Sequence, residues 1–136
     1  MRGRNLVLLV FLLATDMPLL SAWPLLDEET EQLLVAAVTA AAEIDLYNAR
    51  CRRDLSGRHT DNLNKELASK FRTTILEVED DLFPERSYHR AEERLQREFS
   101  ARLKQAGGCR EAKQAGMPDR LREHHDDLMG KLDRLP

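Results

Sequence analysis

Hydrophobic residues recur every three or four positions through most of the chain, which is the period of an amphipathic α-helix. The first predicted helix opens at Asp27-Glu28-Glu29 and continues through the alanine-rich stretch Gln32–Arg53. Its apolar face consists of Leu33, Ala37, Ala40, Ile44 and Tyr47. Asp27, Glu28 and Glu29 precede this stretch, where the partial positive charge of a helix N-terminus favours acidic side chains. Ser56-Gly57 is expected to break the helix.

The clearest amphipathic pattern lies in the next stretch. Its apolar positions are separated by 4, 4, 4, 3 and 4 residues: Leu63, Leu67, Phe71, Ile75, Val78 and Leu82. This spacing predicts one continuous second helix. We expect Thr60 or Asp61 to cap its start and Pro84 to end it or kink it.

Two further helices are predicted beyond Pro84. The third runs from about Glu85 to Gln105, and Gly107-Gly108 stops it. Its apolar face consists of Tyr88, Ala91, Leu95, Phe99, Leu103 and Ala106. Residues 109–116 form a connection with one helical turn near 110–114, and Pro118 suits the start of a fourth helix. The face of that helix consists of Leu121, His125, Leu128, Leu132 and Leu135.

These elements predict an all-α fold. No segment alternates with the period of a β-strand, and short connections favour antiparallel neighbours. We therefore expect a small up-down antiparallel bundle of four helices with one disulfide. The alternative is three helices, one of them long and kinked at Pro84. The length of 136 residues suits one domain, and only six glycines and five prolines argue against a fold of many short strands.

The first 22 residues have the pattern of a secretory signal peptide. Arg2 and Arg4 precede nine consecutive apolar residues at 6–14, and Ser21-Ala22 offers a small-residue cleavage site. The apolar run is short for a membrane span and is interrupted by Asp16, although a retained anchor is the alternative. We expect a helical domain over residues 23–136, without a transmembrane segment, in the periplasm or secreted. The 16 arginines against 5 lysines suggest a GC-rich bacterial genome and hence the periplasm.

Export makes Cys51 and Cys109 the expected partners of a disulfide. In an up-down bundle the first and third helices end on the same side, so the topology brings both cysteines to that end. Their spacing is unlike the close C-x-x-C pair of a redox site, which favours a structural bridge.

The same topology separates the charges. One end of the bundle receives mainly basic side chains, the candidates for an anionic partner: Arg50, Arg52, Arg53, Arg58, Arg110 and Lys113. The other end receives acidic side chains, the candidates for a cation or a basic partner: Glu77, Glu79, Asp80 and Asp81. A solvated surface is the plain alternative for both sets. The net charge of −3 and the few aromatic residues disfavour nucleic-acid binding.

No sequence motif for a nucleotide, a catalytic serine or a zinc protease occurs. His89, His124 and His125 are the candidates for a metal site, and no cofactor is expected. The predicted function is that of an exported, non-catalytic binding or accessory protein of the cell envelope. Its expected partner is another envelope or secreted protein. The alternatives are a periplasmic metal or haem carrier and a small hydrolase with a carboxylate site.

Overall fold

The protein is described from a computed structural model, which covers residues 26–136. The predicted signal peptide at 1–22 lies outside these residues. Within them the chain forms six helices: α1 (Glu28–Cys51), α2 (Arg58–Lys70), α3 (Ile75–Asp81), α4 (Tyr88–Gln105), α5 (Cys109–Gln114) and α6 (Met117–Asp133). The described residues contain no strand, so the predicted all-α class is confirmed.

Helix α1 is the centre of the fold and contacts α2, α3, α4 and α6. Its 24 residues span about 36 Å at the usual rise per residue. The N-cap is Asp27, whose carboxylate accepts a hydrogen bond from the Thr30 amide at 2.7 Å. Because four other helices pack against α1, small alanine side chains suit it. Ala37, Ala40 and Ala41 are buried and let the neighbouring helices approach closely.

Two apolar clusters fill the bundle. The first joins buried side chains of α1, α2, α3, α4 and α6 and the α3–α4 connection, among them Leu34, Val38, Leu63, Leu67, Val78, Phe83, Leu95 and Leu132. The second lies towards the disulfide and includes Ile44, Tyr47, Phe99, Leu103, Ala112, Met117 and Leu121. Most of these are the positions of the predicted apolar faces, so the helical period identifies the core correctly.

The prediction of one second helix through Leu82 is wrong. The chain leaves the helix after Lys70, and Arg72 has a positive φ of 54°. A capping box then starts α3, because Thr74 Oγ1 accepts from the Glu77 amide while the Glu77 carboxylate accepts from the Thr74 amide. The Asn64 side chain also accepts from the Ile75 amide at 2.9 Å, which holds the start of α3 beside the middle of α2.

Pro84 separates α3 from α4, so the alternative of one long helix kinked at this proline is also wrong. The expected helical turn after Gly108 is present as α5, and the fourth predicted helix is α6 with Pro118 in its first turn. The predicted disulfide is confirmed, with 5.4 Å between the Cα atoms of Cys51 and Cys109. Among the described residues no helix combines the length and apolarity that crossing a bilayer requires.

Candidate functional site: an acidic, apolar groove

An open groove of about 560 Å³ runs along the C-terminal half of α1. The outer face of α1 forms its floor, the loop 54–57 and the first turns of α2 form one side, and α3 and α4 form the other. The apolar lining residues are Val38, Ala42, Leu46, Ala49, Leu55, Ile75, Leu76 and Leu95. Leu55 is 84% exposed and Leu76 is 47% exposed, so both edges present a leucine to solvent.

Five carboxyl side chains also line this groove: Asp45, Asp54, Asp61, Glu79 and Glu92. No lysine, arginine or histidine lines it within residues 26–136. The combination differs from an ordinary surface, where both signs of charge are interspersed. We call this surface, defined by the apolar and carboxyl residues just named, the acidic groove.

Asp45 is a structural carboxylate rather than a free one. Helix α2 begins at Gly57, which has no side chain to cap the helix. Asp45 of α1 supplies the missing cap from across the bundle, because it accepts from the amides of His59 at 3.2 Å and Thr60 at 2.8 Å. It also accepts from Thr60 Oγ1 at 2.8 Å, and its Oδ1 lies 2.9 Å from His59 Nδ1. The predicted cap at Thr60 or Asp61 is therefore wrong.

The two aspartates of the α2 side of the groove also have protein partners. Asp54 accepts from the Ser56 amide at 3.0 Å, and this hydrogen bond lowers its pKa. Asp61 pairs with Lys65, one helical turn further along, at 2.9 Å. Because both aspartates are engaged locally, they contribute negative charge to the groove without being its free ligand atoms.

Glu79 is different. Its side chain is 2% exposed, and its Oε2 has no hydrogen-bond partner among the described residues. Burial raises the pKa of the Glu79 carboxyl to about 7, and the nearby negative charges of Glu92 and Asp80 add to the effect. A buried carboxyl without a donor is costly, and such groups concentrate at functional sites.

The four acids predicted to act together on α3 therefore have separate surroundings. Glu77 belongs to the capping box, and Asp80 accepts from the Tyr88 amide at 2.6 Å at the start of α4. Asp81 is exposed, and Glu79 alone lines the groove.

The disulfide joins the last residue of α1 to the first residue of α5, and the basic candidates lie near these two cysteines in the sequence. Arg50, Arg53, Arg58, Arg110 and Lys113 are all exposed to solvent. Arg52 is held by the protein, since its guanidinium lies 5.4 Å from the centre of the Tyr47 ring and donates to Asn48 Oδ1 at 3.3 Å. The basic end as a binding surface and its anionic partner both stay predictions.

The three histidines proposed as metal ligands have different surroundings. His125 packs edge-on against His59 with 5.3 Å between ring centres, His89 lies against Tyr88, and His124 is exposed. In the part of the chain that the structure describes, no group of three or more His, Cys, Asp or Glu side chains could hold a metal ion.

No protein-family model, no curated protein and no solved structure matches this chain. Sequence reasoning singled out Glu79 but missed Asp45, Leu55, Leu76 and Glu92. The one available signal was Leu55, an isolated leucine in the polar segment Arg52–Gly57.

Proposed function

We propose that this protein is a non-catalytic binding protein of an exported compartment. Its acidic groove would take an amphipathic, positively charged segment of a partner protein. The observation that carries the proposal is a groove with an apolar floor, exposed leucines at both edges and a lining that has carboxylates but no basic side chain in the described residues.

The apolar part of the groove supports a polypeptide ligand. A helix that inserts into such a groove presents residues at i, i+3, i+4 and i+7, and its apolar face would cover Ala42, Leu46 and Ala49. Leu55 and Leu76 would then flank the inserted helix, which removes their exposed surface from water. The carboxylates favour a basic partner through charge complementarity, which mainly speeds association and excludes acidic partners.

Export is supported by the Cys51–Cys109 disulfide, because such bonds persist in oxidising compartments. The apolar run at 6–14 after two arginines agrees with it. We place the protein in the periplasm on the arginine-rich composition.

A fluorescein-labelled amphipathic helix of leucine and lysine tests the proposal by fluorescence anisotropy. We expect Leu55→Ser and Leu76→Ser each to weaken binding about fivefold, because each edge leucine loses roughly 1 kcal/mol of apolar contact. We expect binding to weaken with added salt. A peptide of the same pattern with glutamate in place of lysine should not bind.

Two adjacent glutamates of α4 provide a matched control for charge. Glu92 lines the groove, whereas the neighbouring exposed Glu93 does not. Glu92→Gln should weaken binding and Glu93→Gln should leave it unchanged. Equal affinity for the basic and acidic peptides, or no effect of the leucine substitutions, would contradict the proposal.

A small hydrolase is the second candidate, and it depends on the same carboxyl. A glutamate with a pKa of about 7 in a cleft suits a general acid. Turnover of chromogenic glycosides or esters that disappears in Glu79→Gln would support the hydrolase. Peptide binding without turnover would support the binding protein.

A further inference from the structure

We infer that the acidic groove contains a specific cation pocket, in which the Glu79 carboxylate receives the ammonium group of one lysine side chain of the bound segment. This inference rests on the proposed function and names the chemical feature of the partner that the groove selects. Glu79 is then the specificity-determining residue of the groove.

The first support is the unfilled hydrogen-bonding capacity of Glu79. Two other carboxylates of α3, those of Glu77 and Asp80, accept hydrogen bonds from donors within the protein. Glu77 accepts from Thr73 Oγ1 at 2.9 Å and from the Thr74 amide at 3.0 Å, and Asp80 accepts from an amide of α4. Glu79 Oε2 is shielded from solvent and has no donor in the described chain. A donor brought by a ligand would supply what the free protein lacks.

The second support is the sign of the charges around Glu79. Each of the other helices beside the groove lines it with an acid: Asp45 on α1, Asp61 on α2 and Glu92 on α4. Asp80 of α3 does not line the groove, but its negative charge lies close enough to Glu79 to raise the pKa of that carboxyl. The Asp45 carboxylate accepts hydrogen bonds from the N-terminus of α2, and Asp61 forms an ion pair with Lys65. Burial first, and then the negative charges of Glu92 and Asp80, raise the pKa of the Glu79 carboxyl, so that it holds a proton near neutral pH. An external cation would replace that proton.

The third support is the shape of the approach. A lysine side chain has a long apolar stem and a compact charged tip, so its stem can lie on apolar surface while its tip reaches a carboxylate. The groove offers that path, since Ala42, Leu46 and Leu76 line it together with Glu79. A divalent metal ion requires more ligands than the described residues bring together here.

The test compares two helical peptides that differ at one position of the apolar face, where one carries lysine and the other carries norleucine. Isothermal titration calorimetry with the full mature protein gives both affinities at pH 8.0 and at pH 5.5. At pH 8.0 we expect the lysine peptide to bind about tenfold more tightly, as a charge-assisted hydrogen bond to a shielded oxygen predicts. At pH 5.5 the preference should vanish, because Glu79 then carries its proton.

Binding of the lysine peptide at pH 7.0 should also release a proton, so its apparent enthalpy should differ between phosphate and Tris buffers. The norleucine peptide should show no such difference. Glu79→Gln should abolish the preference and the proton release, whereas Asp81→Asn, an exposed acid of the same helix, should retain both. If Glu79→Gln fails to fold, the peptide comparison and the proton release in the wild-type protein still decide the question.

The outcomes separate the two proposals. If neither peptide binds the wild-type protein, the proposed function fails. If both peptides bind equally at pH 8.0 and release no proton, the groove stands as a binding site and the cation pocket is refuted. An arginine peptide that binds as tightly as the lysine peptide would refute the selection of an ammonium group.

Discussion

Replacing Glu79 by glutamine should flatten part of the pH dependence of folding stability. The native carboxyl has a pKa of about 7, against 4.5 for an ordinary glutamate. Between these two values the native state binds more protons than the unfolded state, so the free energy of unfolding falls as the pH rises. Below pH 4.5 both states are protonated and the effect is absent; above pH 7 the full penalty applies.

The magnitude follows from the displacement of the pKa. A change from 4.5 to about 7 corresponds to about 3 kcal/mol. Solvent in the open groove beside Glu79 screens part of this energy, so we expect a loss of ~2 kcal/mol between pH 5 and pH 8 in the wild-type protein. Glu79→Gln has no proton to lose, so its free energy of unfolding should fall by ~2 kcal/mol less than that of the wild-type protein over the same pH interval.

Urea denaturation followed by circular dichroism at 222 nm, at pH 5, 6, 7 and 8, measures this difference. The comparison uses the change with pH, so any constant cost of burying the glutamine amide cancels. Asp81→Asn is the control, and it should follow the wild-type curve because Asp81 is exposed. In Glu92→Gln the fall in stability should be centred at a lower pH than in the wild-type protein, since the substitution removes one negative charge that raises the pKa of Glu79. Parallel curves for the wild-type protein and Glu79→Gln would refute a buried, proton-holding carboxyl.

Three other substitutions test the scaffold by thermal or urea denaturation. Replacing Cys51 and Cys109 together by serine should cost about 4 kcal/mol, the loop-closure value for a 58-residue separation, and no change would mean that the parent lacks the bridge. Asp45→Ala should lower the free energy of unfolding by about 2 kcal/mol, because α2 loses the side chain that caps it. Asp45→Asn should keep part of this stability, and equal stability of the two variants would contradict the cap from α1. Thr74→Ala should lower the free energy of unfolding by about 1 kcal/mol, whereas Thr74→Ser should leave it almost unchanged. Equal stability of Thr74→Ala and the wild-type protein would mean that the capping box does not stabilise α3.

The fold class could be predicted because it depends on the local helical period, and the disulfide could be predicted because it follows from the order of the helices. The 3.6-residue period identifies core residues such as Leu67, Phe99 and Leu132, and an up-down order alone places Cys51 beside Cys109. The break between α2 and α3 could not be predicted from that period. Phe71 and Ile75 continue the apolar spacing across it, so the pattern is the same whether the helix continues or stops.

Contacts that are distant in sequence decide the break and the groove. The Asn64 side chain of α2 accepts a hydrogen bond from the first turn of α3, and Asp45 caps α2 from α1. Neither contact leaves a local signature, because an Asn or Asp within a predicted helix resembles any other polar surface position. Glu79 was recognised as a candidate, but its burial follows only from the position of α3 against α1 and α4.

The place where sequence periodicity failed is also the place where the groove is built. A continuous helix from α2 through Leu82 would carry Glu79 away from α1 along the axis of α2. The left-handed residue Arg72 and the capping box at Thr74 instead change the direction of the chain, so that Glu79 lines the groove together with Glu92 and the outer face of α1. The buried, unpaired carboxyl is therefore a product of this change of direction. Departures of this kind from local consistency are expected at functional sites, which independently favours the groove as the site of binding.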